Sequence, residues 1–445
     1  MDKSATEASA NAPASPSPAL STAAPSRVLS NLFRKLELDL RLVGMLAALA
    51  AIWIGFDILT GGGFLTPRNL WNLSVQSSSV AVMATGMVLV IVTRNIDLSV
   101  GSIVGFTGMI IGVTQAAILP QLWGFDHPLT WVVAVLVGLL VGTAIGALQG
   151  AVIAYLGVSS FIVSLGGLLI WRGAAWWVTT GQTVAPLDSR FKPIGGGIEG
   201  AIGANASWAI GIVAVGTALA ILVTVRRRRR GFGFAVRPLW AETVIAALVS
   251  VAILGAVLVV NAYPLPDGVV RRMQAAAGAP DDAPLPQIAH GFAIPVLIAI
   301  AVGLAMTFLA DRTRFGRYVF AIGGNPEAAE LSGINTKRVL TKVFALMGLL
   351  AGISACISTA RLQSATNATG TLDELYTIAS AVIGGTSLAG GTGTIYGAML
   401  GAVVMQSLQS GMVLLGVDAP LQNIVVGLVL VAAVWIDTLY RRHVK

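Results

Sequence analysis

Leu129 to Ala154 reads LTWVVAVLVGLLVGTAIGALQGAVIA, without one charged side chain. At 1.5 Å per residue such a run is long enough to cross about 30 Å of hydrocarbon as a helix, which alone satisfies its own backbone groups in lipid. Gly138, Gly142, Gly146 and Gly150 recur every fourth place in it, on one helical face where a second backbone can approach. The same spacing recurs at Gly348 and Gly352 and at Gly397 and Gly401. Similar apolar runs fill the chain at 42–59, 74–93, 97–118, 159–178, 207–225, 240–262, 291–310, 340–360, 373–388, 394–415 and 420–438. The expected fold class is therefore all-α, a polytopic integral membrane helical bundle of about 10–12 transmembrane helices. Two runs are weak: 74–93 begins beside Ser77, Ser78 and Ser79, and 373–388 is short and ends in glycines, so either could be re-entrant.

Composition agrees, with 56% hydrophobic residues, 11% charged and a mean hydropathy of +0.82, against about a quarter charged in a soluble domain. The net charge of +8 gathers at the ends of apolar runs and not along one face, which argues for membrane topology and against nucleic-acid binding. With about twelve crossings, Arg226–Arg230, the segment bearing Arg312, Arg314, Arg317, Lys337 and Arg338, and the tail with Arg441 and Arg442 share one side. By the positive-inside rule that side is cytoplasmic and holds both termini. Arg271 and Arg272 are the misfits, on the outer side with Asp267, Asp281 and Asp282. Residues 1–26 are rich in Ala, Ser and Pro and read as a disordered N-terminal tail, leaving 27–445 as the transmembrane domain.

One charged insert, Asp311 to Leu340, reads DRTRFGRYVFAIGGNPEAAELSGINTKRVL. Its middle is a short capped helix, with Asn325 at the N-cap, Pro326 in the first helical position, Glu327 in the first turn and Gly333 at the left-handed stop. About two turns cannot persist alone, so the helix needs a partner surface, either a second protein or its own transmembrane neighbours. Ala328, Ala329 and Ser332 form its expected small docking face, and Glu327 or Glu330 can meet a cation on a partner.

The residues GGNPEAAELSGI (323–334), GGTSLAGGTGTIYGAMLGA (384–402) and NIDLSVG (95–101) together resemble the permease subunits of bacterial ABC importers for monosaccharides, the ribose and xylose type. The resemblance covers most of Val75 to Ile436 and is nearest to xylose-transport permeases. It implies that 311–340 is the cytoplasmic segment coupling to a separate ATP-binding ABC subunit, through Asn325, Pro326, Glu327, Ala328, Ala329, Glu330, Ser332 and Gly333. It also implies a periplasmic sugar-binding protein facing the residues before 74, 179–206 and 361–373. A second permease subunit, forming a homodimer, and a monosaccharide substrate, a pentose such as xylose, complete the set. The expected location is the bacterial inner membrane, in contact with its lipid. Permeases of this family have about ten spans, and the surplus between Ser207 and Pro295 is similar to the xylose-type arrangement. NIDLSVGSIVG laid over GTSLAGGTGTIYG also suggests an internal repeat.

Asp97 is the sharpest single residue, since a carboxylate at the bilayer centre costs about 2.5 to 3.5 kcal/mol. It reads either as a cap with Asn95 on the following span or as part of a translocation pathway, for which Gln149, Gln363 and Asn367 are the other polar candidates. Arg172, among Trp171, Trp176 and Trp177, reads as an interface anchor. No phosphate-cradling GxxxxGK[ST], catalytic triad or HExxH occurs, so the expectation is a transport subunit without its own ATPase or enzyme site and without a cofactor. Cys356 stands alone, His127, His290 and His443 are scattered, and no metal site is expected. The alternative functions are an ion-coupled secondary transporter, which would use intramembrane acids such as Asp97, Glu242, Asp373 and Glu374, or an ABC permease for another small polar solute.

Overall fold

The computed structural model describes residues 40–444 apart from 279, 281 and 282. The N-terminal tail and the acids Asp281 and Asp282 of the outer loop lie outside the described residues. The chain folds into helices α1 (Leu40–Leu59), α2 (Pro67–Val92), α3 (Val100–Val113), α4 (Thr130–Leu156), α5 (Ser160–Trp177), α6 (Gly203–Gly231), α7 (Leu239–Asn261), α8 (Asp267–Ala276), α9 (Ile294–Arg312), α10 (Arg314–Gly324), α11 (Pro326–Leu331), α12 (Thr336–Leu362), α13 (Asp373–Ile383), α14 (Ile395–Leu414) and α15 (Ala419–Val444). Among the described residues β-structure is limited to isolated bridges such as Val184 with Ala365, and nine helices are long and apolar enough to cross a membrane.

α2 is the central helix. It begins seven residues before the expected 74 and runs unbroken, buried along almost its whole length from Ser77 to Val92, so it is no re-entrant segment. The serines that made it look weak are satisfied locally: Ser77 Oγ donates to the Leu73 carbonyl at 2.7 Å and Ser78 Oγ to that of Ser74 at 2.8 Å. Ser79 Oγ lies 2.5 Å from Ser354 Oγ on α12. Hydroxyls bonded to the preceding turn remove the cost of burying them, so the helix continues.

α4 and α12 pack backbone to backbone through the glycines that the spacing singled out. A Cβ on Gly142 would lie 2.3 Å from the Gly348 carbonyl oxygen and one on Gly348 would lie 2.1 Å from that of Gly142. Only glycine permits that approach, which supplies dispersion contacts where no hydrophobic drive exists between helices. Gly397 and Gly401 of α14 meet α13 in the same way, at the Gly384 and Ser380 carbonyls.

α13 is too short to cross alone. Between α12 and α13 the chain turns inward as an irregular strap of successive turns, 363–372. Ala365 pairs with Val184 through two bonds of 2.9 and 3.0 Å, and the strap then descends along the glycine face of α3. Gly112 lies against Ala365, Gly105 against the Thr369 carbonyl, and Gly101 against Gly370 and Glu374, which spans about 16 Å of helix. After α13 a second irregular stretch, 384–394, continues to the far end, where the Ser387 N–H donates to the Thr392 carbonyl at 2.9 Å and the Gly391 N–H to the Val92 carbonyl at 3.0 Å. Strap, α13 and stretch together make one crossing.

α6 and α7 form the expected extra helix pair. It is peripheral: only Ser207 and Gly211 of α6 are buried. The end of the pair away from Arg226–Arg230 is pinned by Trp71, whose Nε1 donates to the Gly291 carbonyl at 2.9 Å, and by His290 stacked on Tyr263 at 4.2 Å.

Candidate functional site

The Asn325–Gly333 helix forms with every cap in place. Asn325 Oδ1 accepts from the Ala328 N–H at 3.1 Å. At the other end Gly333 has φ +86°, and the Gly333 and Ile334 N–H groups close back on the Glu330 and Ala329 carbonyls at 2.9 and 3.1 Å. That pair of bonds is a complete Schellman stop, which only a left-handed residue allows. Glu327, Ala328, Glu330, Ser332 and Gly333 are exposed, and Pro326 partly so. Ala329 is buried against its own protein at 4% exposure, so it does not belong to an outward small face with Ala328 and Ser332. Its neighbour Leu331, which sequence reasoning passed over, is 91% exposed. An isolated leucine in a sequence carries no signal of its direction; the turn geometry that points it outward becomes visible only once both caps are fixed.

This helix is tied to the bundle core. Arg94 follows the last turn of α2, and its Nε and Nη2 donate to the carbonyls of Gly323 and Gly324 at 2.9 and 2.7 Å. Beside it, a Cβ on Gly323 would lie 2.0 Å from the Val92 carbonyl oxygen. The three motif segments 95–101, 323–334 and 384–402 therefore meet at one end of the bundle. A cavity of about 290 Å³ opens there, lined by Phe320, Gly385, Thr392 and Tyr396 among others.

Of the four pathway candidates the structure brings two together. Asp97 and Gln149 are both buried, and Ser99 Oγ lies between them, 2.6 Å from Asp97 Oδ1 and 2.9 Å from Gln149 Oε1. One hydroxyl proton serves one acceptor; with the Gln149 amide turned so that its nitrogen faces Ser99, amide, hydroxyl and carboxylate line up as a donor–acceptor chain, and the other end of the amide has no protein partner. Asp97 also accepts from the Ser99 N–H at 2.9 Å, so it closes the turn that leads into α3, with Ser99 as the residue that opens the helix. Gln363 stands apart: it ends α12 in a left-handed conformation, φ 53°, exposed at the opposite end of the bundle. Asn367 joins the strap and contributes its carbonyl.

Arg172 departs most from expectation. It is no interface anchor: Nη1 donates to the carbonyls of Asn367 and Thr369, both at 2.9 Å, and Nη2 to that of Gly370 at 3.1 Å. A guanidinium presents donors in a fixed fork, suited to three carbonyls turned out of regular structure. Below the strap, Asp373 and Glu374 lie within electrostatic reach of Arg172, and Asp373 also of Arg361. The arrangement fixes an irregular segment inside the bundle, where an unsatisfied backbone would otherwise be costly.

At the opposite end, Asp188 is buried in the loop after α5. Its N–H donates to Gln115 Oε1 at 3.1 Å and its Oδ1 accepts from the Arg190 N–H at 3.0 Å. Burial, with the Asp126 carboxylate nearby, holds its pKa above the ordinary aspartate value.

Comparison with known proteins agrees with this architecture. The family model for the permease component of branched-chain amino acid transport systems matches residues 69–434. The xylose transport system permease protein XylH of Escherichia coli K12 is 37% identical over 407 residues, 92% of this chain and 94% of its own. The ribose import permease protein RbsC of the same organism is 33% identical across 84% of this chain and 87% of its own. The D-allose transport system permease protein AlsC is 28% identical across 89% and 91%. No solved structure matches. With a family model spanning most of its length and relatives above 30% identity along nearly all of theirs, the chain belongs to this family of transport-system permease components.

Proposed function

We infer that the chain is the transmembrane permease subunit of an ABC importer for a monosaccharide, a pentose with xylose as the best fit, driven by a separate ATPase subunit. The relatives' sugars support the substrate class. The single structural observation that carries the coupling is α11, a fully capped two-turn helix projecting Leu331 and Ala328 into solvent while Arg94 ties its base to α2. A short helix held that rigidly transmits a push from an ATPase groove to the central helix. On this reading Asn325, Pro326, Glu327, Ala328, Glu330, Ser332 and Gly333 form the coupling surface, with Ala329 as its internal anchor. The residues before 74, the loop 179–206 and the 361–373 segment where it leaves α12 face a periplasmic sugar-binding protein, and two copies of the chain flank the path. Asp97 and Gln149, with Asn367 on the strap, belong to the moving lining of that path. The α11 end is cytoplasmic, as are both termini, and the protein sits in the inner membrane.

Affinity purification in detergent tests the class: an ATPase subunit should co-purify, and xylose uptake into vesicles should stop on ATP depletion and survive an uncoupler. Uptake that an uncoupler abolishes, with no ATPase recovered, would establish the ion-coupled alternative, in which the buried Asp97 and Glu374 and the partly buried Asp373 carry the coupling. Competition by ribose and allose ranks the sugars. With Cys356 replaced, a cysteine beside Arg228 should be labelled only from the cytoplasm and one at Ser189 only from outside; the reverse would invert the orientation.

A further inference from the structure

The inner end of the peripheral hairpin α6–α7 carries more cationic charge than topology requires. Between residues 226 and 242 there are six arginines, Arg226–Arg230 and Arg237, against one acid, Glu242. That acid is taken: Arg226 Nη1 pairs with Glu242 at 2.5 Å and also donates to the Arg237 carbonyl at 3.1 Å, which closes the hairpin. Arg227, Arg228 and Arg230 are exposed. Arg227 and Arg230, three residues apart, share a helical face, where like charges repel unless an anion lies between them.

The loop beside them is not that of a water-facing turn. Phe232 is 77% exposed and Phe234 67%, and Leu239 and Trp240 extend the apolar collar. Bulky apolar groups next to arginines, at the end of a membrane-crossing hairpin whose first helix packs on α7 and leaves all but Ser207 and Gly211 short of full burial, fit the boundary between headgroups and acyl chains.

We propose that Arg227, Arg228 and Arg230, with Phe232, Phe234 and Trp240, form a binding site for anionic phospholipid: the guanidiniums take the phosphate, and the collar enters the acyl layer beside it. Clusters of four to eight basic residues at the end of a span attract anionic lipid at roughly a factor of five per residue. The site holds the loosely packed hairpin against the bundle through lipid instead of through side chains. It does not depend on which sugar is carried or on which leaflet faces this end.

The test uses the full-length protein in nanodiscs of phosphatidylglycerol mixed with phosphatidylcholine, with protein-bound lipid measured by extraction and by native mass spectrometry. The wild type should be enriched in phosphatidylglycerol, and raising ionic strength should erode the enrichment. Replacing Arg227, Arg228 and Arg230 together with Gln should lower the preference by about a hundredfold, while the corresponding Lys variant keeps most of it. Should the Gln protein fail to insert, Phe232→Ser with Phe234→Ser retains every charge and should still weaken phosphatidylglycerol retention. A wild type without lipid preference, or a Gln variant that keeps it, overturns the proposal. So does a Gln variant that loses the ATPase in pull-downs with its lipid enrichment intact, since the arginines would then face a protein.

Discussion

The Arg94 guanidinium reaches Gly324, its Nη2 donating to the carbonyl at 2.7 Å while Nε holds the carbonyl of Gly323 at 2.9 Å. Two charge-assisted bonds thus join the end of the central helix to the turn from which α11 starts. Charge-assisted bonds are worth about 1.5 to 3 kcal/mol each when buried, and less here because Arg94 is exposed. Arg94→Asn accepts the left-handed backbone at φ 64° and removes both bonds. It should leave ATPase recovery near wild type and cut ATP-driven uptake several-fold, whereas Arg94→Lys, a point charge without the fork, should fall between them. Uptake unchanged in the Asn protein would mean that α11 does not act through α2.

The α11 surface should behave as a docking knob. Burying Leu331 in a partner groove is worth about 1.5 to 3 kcal/mol, so Leu331→Ala should lower ATPase affinity roughly tenfold or more, with permease yield unchanged because the side chain touches little of its own protein. Ala328→Trp should block docking, and Gly333→Val should strain the stop at φ +86°. Normal pull-down and uptake for Leu331→Ala and Ala328→Trp together would sink the coupling assignment. If α11 meets no second protein, Leu331→Ala leaves yield, pull-down and uptake unchanged, because its side chain is exposed, and only the strained Gly333→Val protein loses yield.

Arg172 holds three carbonyls of the strap. Arg172→Gln should release 367–370, which would register as new labelling of a cysteine placed at the buried Thr369 and as a melting temperature several degrees lower. Arg172→Lys can reach at most some of the three acceptors and should rescue only partly. Should labelling at position 369 be the same in wild type and Gln protein, the strap is fixed by α3 packing and not by the arginine.

pH enters through His290, stacked on Tyr263 and 5.1 Å from the Trp71 ring. Burial pushes its imidazole pKa below the ordinary value of 6.5, against the opposing pull of the Tyr263 carbonyl. A depressed folded-state pKa means that the neutral ring's contribution is complete above 6.5 and is lost as pH falls from there through the folded value. Acidification from about pH 7.5 to about pH 5.5 should therefore lower the melting temperature of the wild type more than that of His290→Phe. Equal slopes for the two proteins would remove His290 as the source.

Length and apolarity settled much of this protein in advance. The spans, the extra pair between Ser207 and Pro295, the four-residue glycine faces and the Asn325–Gly333 caps all rest on local chemistry: a 20-residue apolar run has only a helix open to it in lipid, and a left-handed stop has few residues that tolerate it. Direction and depth were decided elsewhere. Ala329 and Leu331 are two residues apart, and which faces inward depends on how α11 docks on α10 and α12. Arg172 beside three tryptophans reads like any interface anchor until the strap, nearly 200 residues later in the chain, brings its carbonyls to the guanidinium. Asp97 is likewise silent about depth, because a break between helices sits at the surface or deep within according to what packs around it. Polar groups in a membrane protein find partners across the fold, and those long-range pairings exist only in the tertiary structure.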